Sequence, residues 1–131
     1  MDKTILDQFQ EQVSDLLIRH RSILDVISKT QESTARVNRA VTKAVTECGC
    51  IEVSGTKQPY DNAKSLNENR PQLDTHVHGK LCEHCQEVLV AELGKNLFYL
   101  TALCNTVDIN LNEVIKSEQK RLNTLGVFNM S

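Results

Sequence analysis

The chain has no tryptophan, and only three phenylalanines and two tyrosines among its 131 residues. With aromatics at 4% and apolar residues at 40%, a packed core must be mainly aliphatic, and long aliphatic helices are the cheapest way to use such a palette. Only two prolines interrupt it, Pro59 and Pro71, and both fall in one stretch. No run of about 18 apolar residues is present, which excludes a membrane-spanning helix. The opening "MDKTILDQFQEQ" lacks the basic-then-apolar pattern of a secretory signal. No charge of one sign dominates either. The net charge is −2, with acids and bases mixed along the chain, so there is no electrostatic footprint for nucleic acid or an anionic membrane. These absences place the expected protein in a reducing cytoplasm, where five cysteines serve as thiols, metal ligands or redox groups rather than as structural disulfides.

What is present is helical periodicity. Ile5, Phe9, Val13, Leu16, Leu17, Ile23, Leu24 and Ile27 recur at steps of three and four, predicting one amphipathic helix over Thr4 to Lys29. Possible caps in "SKTQES" precede a small-residue stripe through Ala35, Val37, Ala40, Val41, Ala44, Val45 and Cys48, which forms a second helix or a continuation of the first and ends at Gly49. Residues 54–79 are rich in Asn, Asp, Gln and Lys and poor in large apolar side chains. They predict a long flexible loop or insertion. A third helix starts near Leu81 and is apolar on most of its circumference from Val88 to Val107. After the turn Asp108-Ile109-Asn110, a capping box of Asn110 with Glu113 opens a last helix that stops at Gly126. The expectation is one all-α domain over 1–131, a bundle of about four helices without strands. Its third helix needs more cover than its own neighbours supply, so the chain is expected to self-associate into dimers or tetramers.

The cysteines fall into two pairs, Cys48-x-Cys50 and Cys82-x-x-Cys85. Two short pairs across a loop are how four thiolates reach one zinc ion. In an unbroken helix Cys48 and Cys50 would point about 200° apart, so the zinc reading requires the helix to end at Gly49. Cys82 and Cys85 share the first turn of the third helix, where the helix dipole favours the thiolate. His76, His78 and His84 lie close enough in sequence to replace a cysteine as ligand. Reduced thiols without metal, or a Cys82/Cys85 redox pair, are the competing readings; Cys104 reads as core.

"ELGKNLFYLTALCNTVDINLNEV", Glu92 to Val114, resembles the MazG family of all-α nucleoside triphosphate pyrophosphohydrolases. In that family a Glu-Leu-Gly-Asp helix leads into a Leu-aromatic-Tyr-Leu run, an Asp-Ile/Leu turn and a last helix. "KAVTECGCIEV", Lys43 to Val53, is similar to the family's other metal helix, with Glu47 matched and Cys50 at the place of its second glutamate. The resemblance implies a MazG-like bundle in which carboxylates hold catalytic magnesium and a (d)NTP is cleaved to NMP and pyrophosphate. It makes Glu47 and Glu92 the candidate magnesium ligands, and Lys116, Lys120 and Arg121 the candidate phosphate contacts. Two of the four carboxylate places differ: Cys50 offers sulfur, and Lys95 puts an ammonium where the family has aspartate, three residues from Glu92 and so expected to pair with it. Asn96, Glu83 and Glu87 are the nearby oxygen donors. Two functions are therefore expected: a divergent nucleotide pyrophosphohydrolase, or a non-catalytic zinc-binding helical oligomer acting through a protein partner or a bound nucleotide.

Overall fold

The computed structural model describes residues 3–125. Gly126, the expected stop of the last helix, lies outside them. Four long helices carry the architecture: α1 (Ile5–Leu16), α2 (Ile23–Lys43), α4 (Glu83–Thr106) and α5 (Leu111–Leu125). Between α2 and α4 lie a π-helical turn (Ala44–Cys48), strand β1 (Ile51–Val53), the short α3 (Leu66–Asn69), a 3-10 turn (Arg70–Gln72) and strand β2 (Val77–Gly79). The mostly helical expectation holds, and among the described residues no helix is long and apolar enough to cross a membrane.

The single first helix expected over Thr4 to Lys29 is two. α1 ends at Leu16, and α2 begins after Ser22, whose hydroxyl accepts a hydrogen bond from the Leu24 N–H at 3.3 Å. Of the two readings at Ser28 to Ser33, a cap or a continuous helix, the structure shows the continuous helix, since the stretch lies inside α2. There Ser28, Thr30 and Ser33 donate to the carbonyls of Leu24, Val26 and Thr30 instead of capping a new helix. At the other end Thr4 forms a full capping box with Asp7.

α2 and α4 run antiparallel and form the main seam. Asn96 donates to the hydroxyls of Ser33 and Thr34 at 3.0 and 2.9 Å, and the end of α2 meets the start of α4. α1 is fastened to the far end of α4. The Gln10 amide donates to Asn105 Oδ1 and to the Ile109 carbonyl, both at 2.8 Å, and accepts from the Leu111 N–H. Between these anchors sits a small core of Val13, Leu17, Val26 and Ala102, with Phe9, Phe98 and Leu103 packed on it. Asp108, at φ 60°, makes the turn from α4, and Asn110 caps α5 by accepting from the Glu113 N–H at 3.1 Å.

The strands are an addition to the all-α expectation. β1 and β2 pair antiparallel, with Ile51 opposite Gly79, Glu52 opposite His78 and Val53 opposite Val77. The segment 54–79 is also more organised than its composition suggests. Fully buried Asn69 donates to the carbonyls of Asp61, Lys64 and Ser65 and accepts from the Asp61 N–H. One amide thus satisfies backbone groups that an apolar core would leave stranded.

Candidate metal centre

The end of α2 is shaped to present two thiols on one side. Its last turn widens to a π-helix, closed by the Gly49 N–H donating to the Ala44 carbonyl at 2.8 Å. Gly49 then takes the left-handed conformation, φ 79°, and ends the helix as the spacing of Cys48 and Cys50 required. Ile51, buried, leads into β1, and β1 carries its partner β2 back alongside. The return is close enough that only glycine fits at position 79: a β-carbon there would stand 2.6 Å from the Cys50 carbonyl oxygen, and φ is 91°.

From Gly79 the chain passes to Cys82, the N-cap of α4. Its sulfur accepts a hydrogen bond from the Cys85 N–H at 3.4 Å, the role serine or aspartate usually fills. Cys48, Cys50, Cys82 and Cys85 are thereby gathered with all four sulfurs within 4.8 Å of one another. Cys48 and Cys82 are 3.7 Å apart, far beyond the ~2.05 Å of a disulfide bond. Zn–S bonds of ~2.3 Å in a tetrahedron set sulfur–sulfur edges at roughly 3.8 Å. The cluster therefore needs only a small contraction to surround one ion, and its donors fit zinc or another thiophilic metal.

The thiols are not equivalent. The Cys85 N–H, followed by the Cys85 thiol, lowers the Cys82 pKa to about 7. Cys85 gives its proton toward Cys82 and, with added desolvation, is pushed up to about 12. Burial raises Cys104, which lies apart on the body of α4 and does not join the cluster.

None of the three candidate histidines belongs to the cluster. His78 stands opposite Glu52 in the strand ladder, and His76 has a buried Nε2 without a hydrogen-bond partner. His84 is the nearest in setting. With Lys43, Glu47, Cys48 and Cys85 it lines a hollow of about 270 Å³ beside the thiols.

The two candidate magnesium ligands are not gathered with a third acid; among the described residues the thiols are the one group of three or more metal-ligating side chains that comes together. Glu47 is exposed at the thiol-side hollow. Glu92, its side chain 15% exposed, turns to the α2 seam, where Oε1 lies 3.9 Å from both Arg36 Nη1 and Lys95 Nζ. Lys95 pairs with Glu92 as the spacing implied. Arg36 was not foreseen, because which α2 residue faces Glu92 is fixed by the pairing of the two helices. Two cations at one carboxylate are the opposite of what a hard divalent ion needs, and nothing in this arrangement supports magnesium. Asn96 is likewise engaged, donating to Ser33 and Thr34.

The candidate phosphate contacts lie on a solvated face of α5. Lys116 pairs with Glu113 at 3.7 Å, Arg121 pairs with Glu118, and Lys120 is exposed. The sequence reading missed a different row, Arg36, Arg39 and Lys43 on α2, which lines a hollow of about 400 Å³ with Ala40, Val88 and Glu92. Their three- and four-residue spacing was the available signal, but it equally describes a solvated helix face.

The chain matches no family model, no curated protein and no solved structure.

Proposed function

We propose that this chain is a non-catalytic, zinc-clasped helical binding protein that works as a homo-oligomer. The observation that carries the reading is the convergence of Cys48, Cys50, Cys82 and Cys85 within 4.8 Å, drawn from two elements 34 residues apart along the chain. Zinc there would be structural: four thiolates fill its coordination, so no position is left for water or substrate. Its effect would be to pin the end of α2 to the start of α4 and so hold the seam in register.

Self-association is supported by α4. Val90, Leu93, Leu97, Leu100 and Val107 follow one another at heptad spacing and are all exposed, Val90 and Leu97 at 61% and 55%. The stripe carries no charge, and a second copy presenting the same stripe would cover it.

The pyrophosphohydrolase reading is kept as the alternative. In its favour, Glu92 Oε2 is buried without a hydrogen-bond partner, a group that a cation would satisfy. Against it stand Arg36 and Lys95 at the other oxygen. A MazG-like bundle remains a proposal on the Glu92 to Val114 resemblance alone.

Metal analysis of protein purified under reducing conditions tests the primary reading. One zinc per chain is expected, lost in Cys82→Ser and Cys85→Ser. Iron in its place would announce itself by visible absorption, and metal-free protein that folds identically would remove the clasp. Release of pyrophosphate from any common (d)NTP with Mg²⁺ would instead favour the alternative.

A further inference from the structure

We propose that the furrow between α2 and α4 binds a multiply charged anion of the phosphate class, held by Arg36, Arg39 and Lys43. The three side chains sit on one flank of α2 and line the same hollow of about 400 Å³, whose one acid is Glu92, giving a net formal charge of +2. Arg36 is shared with Glu92 and Glu32, at 3.9 and 3.8 Å. Among the described residues, neither the Arg39 nor the Lys43 side chain has a hydrogen-bond or ion-pair partner.

Two of the three cations are thus left without a counter-charge among the described residues. Like charges three and four residues apart on a helix repel one another, and the two carboxylates that meet this row, Glu92 and Glu32, both do so at Arg36. A bound anion would relieve the repulsion. Guanidinium groups match phosphate oxygens in pairs, and an ammonium adds a point charge. The furrow also continues past Arg36 into a second hollow of about 240 Å³, lined by Lys29, Ser33, Lys95 and Tyr99 as well as Glu32. Lys29 and Lys95 lie there, paired with Glu32 and Glu92, and with Tyr99 they would extend the positive furrow for a ligand with more than one phosphate group. The small walls Ala40 and Val88 leave the floor open to it.

The role of Glu92 gives the proposal a sign that the magnesium alternative reverses. In a direct anion site its carboxylate opposes the ligand, so removing its charge strengthens binding and no divalent metal is needed. In a carboxylate–metal site the same change removes the metal and with it the anion.

The test is calorimetric titration of the full-length, metal-loaded protein with inorganic phosphate, inorganic pyrophosphate and phenyl phosphate, with and without Mg²⁺. Saturable binding without Mg²⁺ to at least one of them is expected. It should weaken about tenfold in Arg39→Gln and in Lys43→Gln, where a charge-assisted hydrogen bond is lost, and tighten in Glu92→Gln. A preference for phenyl phosphate would assign the site to organic phosphoesters, and a preference for pyrophosphate to free polyphosphate; both support the proposal. No saturable binding of any probe overturns it. So does equal weakening in Lys116→Gln and Lys120→Gln, which lie on α5, or loss of binding in Glu92→Gln. The clasp reading fails separately, in the zinc content of the same preparation.

Discussion

Gly79 rests against the carbonyl of Cys50, so close that any β-carbon would come within 2.6 Å of its oxygen. The contact joins the return strand to a thiol-bearing turn, and it makes a residue without a side chain part of the clasp. Gly79→Ala should therefore displace Cys50 as well as strain a backbone held at φ 91°, at a cost of about 1–3 kcal/mol. Thermal unfolding together with zinc content measures both effects; a variant that keeps full metal and full stability would show that the turn yields without harm.

Stripping the zinc proposed for the cluster should loosen the seam at its Cys48/Cys82 end first. A strong chelator is expected to lower the melting temperature by on the order of 10 °C, because metal bound only by the folded chain adds to its stability. Hydrogen exchange should then speed up around Ala44–Cys48 and the first turn of α4, while the Gln10–Asn105 end changes little.

The metal-free, reduced chain should show ordered thiol reactivity. Cys82, with its pKa lowered to about 7, is half thiolate near neutrality and more so as pH rises; Cys85, pushed up to about 12, stays protonated. Brief iodoacetamide treatment at pH 7.5, mapped by mass spectrometry, should label Cys82 well before Cys85. Zinc should protect both.

Asn69 holds its loop by four hydrogen bonds to backbone groups. Asn69→Ala removes all four side-chain bonds, leaving the Ser65 carbonyl only its bond from the residue 69 N–H, and the local cost should be about 1–3 kcal/mol. The expected reading is rapid amide exchange across residues 61–69 with an unchanged helical circular dichroism signal. Global unfolding instead would mean that the loop is integral to the bundle.

Leu97→Glu places a charge in the middle of the exposed α4 stripe. Sedimentation analysis should show the wild-type chain as an oligomer and the variant as a monomer with its helix content intact. A monomeric wild-type chain would leave the stripe without the partner proposed for it.

Periodicity made α4 legible in advance, since a helix apolar nearly all round announces itself, and the Asn110 cap and Gly49 stop were local signals of the same kind. The cysteine spacing likewise pointed to the cluster the structure forms. What escaped was decided at longer range. The break between α1 and α2 has no glycine or proline to mark it, and hydroxyls that could have capped a helix at Ser28 to Ser33 bond within one. Strands of three residues are too short to show alternation. The facing of Arg36 and Glu92 depends on how two distant helices pair, which no local period encodes.

The two ends of the clasp, Cys48 and Cys82, stand 34 positions apart on a chain that must come full circle before the sulfurs meet. Closing such a loop carries an entropic penalty that is met once, by whichever event comes first. If the helices pair first, the ion finds its four donors already assembled and binds tightly. If the ion arrives first, it delivers α4 to α2 and speeds their pairing. Ion affinity and bundle stability are then two readings of a single free energy, and any substitution along the α2–α4 seam should register in both.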